Sequence, residues 1–123
     1  MSTIHSHLSA TQILPVAELG PAVNFYRTLA SEVALYDTGY AWVTQDGHEI
    51  LHLTRVPDLH AGANSAACYR HVPNADALRA EWSAAGVDPG PMQDTPRGMR
   101  EFAIRDPSHN LVRIGHQAAR MVE

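Results

Sequence analysis

This 123-residue chain contains no lysine and a single cysteine, and aromatic residues make up only 7% of it. Its nine basic residues are therefore all arginine, which excludes chemistry that depends on a Schiff-base or phosphate-binding lysine. Every basic side chain stays charged and offers planar, forked hydrogen bonding. The lone Cys68 cannot form a disulfide within the chain, and its apolar neighbours predict a buried, unreactive thiol.

Long apolar runs and clustered positive charge are missing as well. No stretch approaches the roughly 20 apolar residues of a membrane-spanning helix, and residues 1–7 lack the basic start and apolar block of a secretory signal. The net charge of −4 opposes binding to nucleic acid, whose phosphates require clustered positive charge. We therefore expect a cytoplasmic protein with neither a nucleic-acid nor a membrane partner.

What the chain does contain is the composition of one soluble globular domain, 45% apolar and 18% charged. We expect a flexible segment over residues 1–10 and a single domain over residues 11–123. Within it, two units at 11–56 and 65–117 are each predicted to run strand, helix and three strands, which gives the α+β class. The predicted elements of the first unit are strands at 11–16, 33–36, 40–44 and 50–54 and a helix starting near Gly20-Pro21, with Ala22, Phe25, Tyr26 and Leu29 at helical spacing.

The second unit is predicted to contain a helix over residues 75–85. Asn74 precedes it as an N-cap, and Leu78, Trp82 and Ala85 recur at the spacing of one buried face. The predicted strands around this helix lie at 66–72, near 87–92 as a short edge strand, and in a final hairpin within 95–114.

The final hairpin carries the most specific pattern of the chain. Phe102 and Ile104 point to one side of its first strand and Glu101 and Arg105 to the other, and residues 106–110 supply the turn. The sequence Gly98-Met-Arg-Glu-Phe-Ala-Ile-Arg-Asp-Pro, followed by Asn110-Leu-Val-Arg, resembles the last hairpin of the vicinal-oxygen-chelate superfamily. This superfamily includes glyoxalases, extradiol dioxygenases and the bleomycin- and fosfomycin-resistance proteins.

Gly-Met-Arg-Glu-Phe, together with the helix Ala-Asp-Ala-Leu-Arg-Ala-Glu-Trp-Ser, is most similar to the bleomycin-resistance branch. The resemblance implies two βαβββ modules with curved mixed or antiparallel sheets, whose concave faces form a ligand cavity, and a homodimer. The chain departs from the pattern of the bleomycin-resistance proteins at two positions. Arg97 replaces an aromatic residue that lines the drug cleft in the resistance proteins. Gln12 replaces the proline that they associate with an exchanged N-terminal arm.

One motif is rejected at this stage. His48-Glu-Ile-Leu-His52 matches the H-E-x-x-H pattern of zinc proteases, which requires a helix. The preceding Asp46-Gly47 and the apolar pattern favour a strand, on which residues four apart lie about 13 Å from each other. Two nitrogen ligands at about 2 Å from one zinc ion cannot span that distance.

The resemblance also identifies four positions where metal ligands would stand, namely Thr11, His52, Ala67 and Arg113. Only His52 can ligate a metal, and the fixed charge of Arg113 would repel a cation. We therefore expect no divalent metal and no other cofactor. An unusual site that uses His52, His71 or His116 stays open, whereas His5 and His7 lack a third partner.

The remaining candidates are residues that could bind a ligand on the concave face. Tyr40, Trp42 and Tyr69 could stack on heterocycles or hold cations. Arg97, Arg100 and Arg113, if they reach the cleft, favour an anionic or carbonyl-bearing ligand. The alternative is that Arg100 pairs with Glu101 or Glu49 and that Arg113 is a solvated strand residue. The predicted ligand-binding set is Tyr40, Trp42, His52, Tyr69, Arg97, Glu101 and Arg113.

Three functions follow from these residues. The favoured one is metal-independent sequestration of a small molecule, such as an antibiotic or a metabolite, as in bleomycin-resistance proteins. The second is an isomerase, lyase or oxygenase for a small oxygenated substrate, with His52 and Glu101 as its acid–base pair. The third is an accessory protein whose cleft is vestigial.

Overall fold

The computed structural model describes residues 8–118, and two helices and eight strands lie within them. In chain order they are β1 (Gln12–Val16), α1 (Leu19–Thr28), β2 (Glu32–Asp37), β3 (Tyr40–Gln45), β4 (His48–Arg55), β5 (Ala67–His71), α2 (Ala75–Ala84), β6 (Gln93–Asp94), β7 (Met99–Arg105) and β8 (Leu111–Gln117). A 3-10 turn, Ala61–Ala63, lies in the connection between the two modules.

The two modules share one topology. Sheet A has the strand order β1-β4-β3-β2, and sheet B has the equivalent order β5-β8-β7-β6. In each sheet the first strand pairs in parallel with the last strand, and all other neighbours are antiparallel. The predicted α+β fold of two βαβββ modules with mixed sheets is therefore confirmed.

Each sheet is apolar on one face because hydrophobic residues alternate with polar ones along its central strands. Helix α1 packs against sheet A and α2 against sheet B, and residues of all four share one apolar core. We call the opposite faces the open faces of sheets A and B. The buried hydrophobic strand residues are Leu14, Val16, Val33, Ala41, Val43, Leu51, Leu53, Phe102, Ile104, Val112 and Ile114.

The helices begin and end for local reasons. The side chain of Asn74 accepts a hydrogen bond from the backbone N–H of Ala77 at 3.0 Å, which confirms the predicted N-cap of α2. Trp82 is buried as predicted, but the prediction was wrong for Ala85, which is the exposed C-cap residue. Leu78 is only partly buried.

The weakest part of the sequence-based prediction was the strand near residues 87–92. These residues form no strand, and the edge strand β6 follows directly after them with two residues. Because two prolines lack backbone N–H donors, regular pairing starts only beyond Pro91.

A buried polar turn joins the two modules. The carboxylate of Asp106, 3% exposed, accepts hydrogen bonds from the Tyr26 hydroxyl of α1 at 2.8 Å and from the backbone N–H groups of Ser108 and Asn110. Asn110 in turn donates to the carbonyl oxygen of Pro15 at 2.7 Å. The predicted turn at 106–110 therefore also fixes the position of module B against β1 and α1.

No helix of the described residues is long and apolar enough to cross a membrane. His5, His7 and most of the N-terminal segment predicted to be flexible lie outside the described residues.

Candidate functional site

Three predicted residues meet on the open face of sheet A. Trp42 of β3 stands opposite His52 of β4, and Tyr40 follows two residues before Trp42 on the same face. The hydroxyl of Tyr40 lies 2.5 Å from Nδ1 of His52, and the rings of Trp42 and His52 are 6.5 Å apart in an edge arrangement. The strand register therefore places an imidazole between two aromatic side chains.

A fourth residue of this cluster was not predicted. The register of β3 against β4 shifts between Val43 and Thr44, so that Ile50 is an extra residue on β4. This β-bulge brings Glu49 to the face of His52, and the two side chains are hydrogen-bonded through His52 Nε2. Strict alternation would have placed Glu49 on the buried face. Nothing in the sequence pattern marked the bulge.

The three polar groups form a chain of defined direction. A carboxylate can only accept a hydrogen bond, so Nε2 of His52 carries a proton and donates a hydrogen bond to Glu49. In a neutral imidazole Nδ1 is then the acceptor, and the Tyr40 hydroxyl donates to it. The arrangement can relay a proton between the phenol and the imidazole.

Beside this chain lies an exposed aromatic surface. The ring of Tyr36 on β2 contacts that of Trp42 edge to face at 5.5 Å between centroids, although 68% of Tyr36 is exposed. Tyr36, Trp42 and Tyr40 line a cavity of about 440 Å³. An aromatic residue this exposed is available to stack against a ligand.

The other predicted residues meet on the open face of sheet B. Glu101 of β7 is 5% exposed, and its carboxylate lies 3.2 Å from the Tyr69 hydroxyl and 3.3 Å from Nη1 of Arg113. Arg97, in the turn before β7, lies 3.6 Å from the same carboxylate. Glu101 points away from the core as predicted, but these three side chains cover it.

Gly115 makes this arrangement possible. A Cβ atom at this position of β8 would lie 2.2 Å from the Tyr69 hydroxyl and 3.0 Å from the Cβ of Glu101. Tyr69 of β5 therefore reaches Glu101 across a strand that has no side chain at the crossing point. The pKa of Tyr69 is raised, mainly by burial and then by its hydrogen bond to Glu101.

The structure shows whether Arg100 and Arg113 face the open side of the sheet or pair with carboxylates. Arg100 does not reach the open face. Its guanidinium pairs with Asp76 of α2 at 2.8 Å and with Asp94 at 3.2 Å, on the helix side of the sheet. These two carboxylates raise the pKa of Arg100. Both alternatives for Arg100, a cleft-facing group and a pair with Glu101 or Glu49, were therefore wrong, whereas Arg113 is ion-paired with Glu101.

The predicted residues thus form two clusters, one on each sheet. Tyr40, Trp42 and His52 are together in sheet A, and Tyr69, Arg97, Glu101 and Arg113 are together in sheet B. His52 and Glu101, suggested as an acid–base pair, lie in different sheets, and within residues 8–118 no hydrogen bond or ion pair joins them.

Comparison with solved structures places this geometry in a known fold. A bleomycin-binding protein from Streptomyces verticillus, solved with copper(II)-bleomycin, is 29% identical, with a TM-score of 0.75 over 94% of this chain and 98% of that chain. A bleomycin resistance determinant encoded on the transposon Tn5 has a TM-score of 0.83 at 18% identity, over 91% and 99% of the two chains. A lactoylglutathione lyase from Agrobacterium tumefaciens has a TM-score of 0.72 at 18% identity, over 89% and 93%.

The chain has the vicinal-oxygen-chelate fold. No protein-family model matches its sequence, and no curated protein sequence matches it. Solved structures of bleomycin-binding and bleomycin-resistance proteins and of glyoxalase-type proteins share the fold, as the resemblance of the final hairpin predicted.

Members of the vicinal-oxygen-chelate superfamily commonly hold a metal ion on the open faces, so we tested whether the residues here suit one. Both ring nitrogens of His52 are already hydrogen-bonded, to Tyr40 and to Glu49. Arg113, at another ligand position, brings a positive charge that is paired with Glu101. Among residues 8–118, no three His, Cys, Asp or Glu side chains are grouped so that they could hold a metal ion. These side chains do not fit the metal centre of the superfamily.

Proposed function

We propose that this chain is a small-molecule binding protein that sequesters an antibiotic or a metabolite on its open faces, without a metal ion. The observation that carries the proposal is that both ring nitrogens of His52 are hydrogen-bonded within the protein. Its two nitrogens are engaged by Tyr40 and Glu49 beside an exposed aromatic surface, an arrangement suited to contact with a guest molecule. The likeness to bleomycin-binding proteins, one of them at 29% identity, supports the same class of function.

The aromatic surface on sheet A is the proposed contact for the ring system of the ligand. Tyr36, Tyr40 and Trp42 offer flat faces around a shallow, open depression of about 440 Å³. Because Arg97 stands where the resistance proteins carry an aromatic residue, the ligand is expected to differ from bleomycin. We further propose a cytoplasmic homodimer.

Isothermal titration against metal-free and copper-loaded bleomycin, other aromatic antibiotics and anionic metabolites tests the proposal. At least one compound should bind saturably with a micromolar dissociation constant and should quench the fluorescence of Trp42. Trp42→Ala should weaken binding by about 10-fold or more, since a buried aromatic contact is worth on the order of 1.5 kcal/mol.

Leu35→Ala is the matched control. Leu35 is a 57% exposed residue of the adjacent strand β2 and points to the opposite side of the sheet, opposite Ala41. The Leu35→Ala variant should bind the ligand with the same affinity as the unmodified chain. Flat titrations across the panel, or equal losses in the two variants, would contradict the proposal. Light scattering coupled to gel filtration tests the dimer, and a monomer at tens of micromolar would refute that part alone.

The hydrogen-bonded chain of Tyr40, His52 and Glu49 favours a second candidate, an acid–base enzyme for a small oxygenated substrate. A proton taken from a carbon next to a carbonyl group would pass to the Tyr40 oxygen as the phenolic proton moves to His52. This candidate predicts that the protein catalyses deuterium uptake from D₂O into α-hydroxy ketones, and that Tyr40→Phe abolishes it. Exchange at the uncatalysed rate across such substrates would exclude this activity.

A further inference from the structure

The open face of sheet B carries an excess of positive charge in a protein whose net charge is −4. Three guanidinium groups lie there, those of Arg97, Arg105 and Arg113, and among the described residues of this face one carboxylate, that of Glu101, opposes them. Arg105 donates to the backbone carbonyl of His109 at 2.9 Å and has no carboxylate within 4.0 Å in residues 8–118. Two positive charges are therefore left in excess.

The single carboxylate lies beneath the arginines. Glu101 is 5% exposed, whereas the side chains of Arg113 and Arg97 are 46% and 66% exposed. Glu101 is therefore shielded from a ligand, and its role is to orient the guanidinium groups above it. A buried carboxylate with the Tyr69 hydroxyl as a further donor is a fixed anchor for two otherwise flexible side chains.

The guanidinium groups retain donors for another partner. Each guanidinium has five N–H donors in a planar fork, and the ion pairs of Arg97 and Arg113 with Glu101 each involve one nitrogen. Arg100 on the same strand shows the saturated case, because two carboxylates contact three of its nitrogens. Glu101, Arg105 and Arg113 also line a cavity of about 290 Å³.

We propose that this face is an oxyanion subsite, in which Arg97 and Arg113 hold an acidic group of the bound small molecule. The inference rests on the proposed function and specifies the class of ligand. The proposed ligand is an organic acid with an aromatic ring system, and the ring system is expected to contact the aromatic surface of Tyr36, Tyr40 and Trp42. A strongly cationic compound is disfavoured, because it would meet the excess of guanidinium charge.

Three probes that share one ring system test the subsite, namely 1-naphthoate, 1-naphthamide and 1-naphthylmethylammonium. Each is titrated into ¹⁵N-labelled full-length protein, and the backbone and arginine Nε–H resonances are followed. Naphthoate should bind at least about 10-fold more tightly than the amide, since a charge-assisted hydrogen bond is worth about 1.5 kcal/mol or more. Raising the salt from about 0.05 to about 0.5 M should weaken naphthoate alone.

Substitutions then locate the subsite. Arg113→Gln and Arg97→Gln should each bring naphthoate towards the affinity of the amide, and Arg113→Lys should restore part of the loss, because it keeps the charge without the fork. Arg55→Gln removes the same charge from sheet A, where the Arg55 guanidinium pairs with Glu18 at 3.5 Å, and should leave the affinity for naphthoate unchanged. Dispersed spectra of each variant show that it is folded.

The outcomes separate this inference from the proposed function. Equal binding of the three probes, with loss on Trp42→Ala, would overturn the oxyanion subsite and leave small-molecule binding in place. Naphthoate binding that survives both arginine substitutions would also overturn the subsite. If none of the probes and none of the panel compounds bind, both proposals fail.

Discussion

Replacing Gly115 by alanine tests the packing that builds the sheet B cluster. The added Cβ would lie 2.2 Å from the Tyr69 hydroxyl, more than 1 Å inside ordinary van der Waals contact, and 3.0 Å from two further atoms, the Arg100 carbonyl oxygen and the Glu101 Cβ. Tyr69 must therefore swing away, and its 3.2 Å hydrogen bond to Glu101 is lost.

The expected cost has two parts. Losing a hydrogen bond to a covered carboxylate costs about 1.5–3 kcal/mol, and the two remaining close contacts cost on the order of 1 kcal/mol of overpacking. Gly115→Ala should therefore lower the free energy of unfolding by about 2–4 kcal/mol. In a Tyr69→Ala background the first part is absent, so the same substitution should cost only about 1 kcal/mol.

Urea unfolding of the four proteins in this double-mutant cycle measures the difference. Fluorescence and circular dichroism should give coincident transitions, so that a two-state free energy applies. A coupling energy of about 1–3 kcal/mol between the two positions is expected. If Gly115→Ala costs the same with and without Tyr69, the crossing of Tyr69 over β8 does not explain the glycine, and the reasoning is wrong.

Two further predictions concern the junction of the modules. Tyr26→Phe should lower the free energy of unfolding by about 1.5–3 kcal/mol, because the buried carboxylate of Asp106 loses a donor; Tyr36→Phe, at a 68% exposed position, should change it by less than about 0.5 kcal/mol. Burial, followed by the charge of Asp106, raises the pKa of the Cys68 thiol from 9.0 to about 11. The contribution of the protonated Cys68 thiol to the free energy of unfolding is therefore complete below about pH 9 and lost as the pH rises through 11. Alkylation of Cys68 by iodoacetamide at pH 8 should be slower in the folded than in the urea-unfolded protein, and equal rates would contradict this pKa.

The sequence was sufficient for most of the fold because the decisive patterns are local. Alternation of Phe102 and Ile104 with polar residues, the turn at 106–110 and the Asn74 cap each depend on neighbours a few residues away. The rejection of a zinc-protease motif at His48 and His52 followed from the same kind of pattern, and the structure confirms the strand there. The prediction for Ala85 was wrong because helical spacing does not say where a helix ends.

Only part of the candidate site could be predicted from the sequence. Tyr40, Trp42 and His52 could be assigned to one face by period-two alternation, but a bulge at Ile50 brought Glu49 to that face, and bulges leave no reliable pattern in a sequence. The face of Arg100 on β7 follows from its alternation with Phe102 and Ile104, but its partner Asp76 lies on a helix 24 residues away in the chain and could not be predicted from the sequence.

By itself the sequence determined the two βαβββ modules, the apolar face of each sheet and the absence of lysine chemistry, since these depend on composition and short-range periodicity. Only the tertiary structure decided which charges meet. It covered Glu101 with Tyr69, Arg97 and Arg113, and it connected Tyr26 to Asp106 across 80 residues. The reason is physical: a charged side chain has several possible partners along a chain, and the packing of strands and helices selects among them.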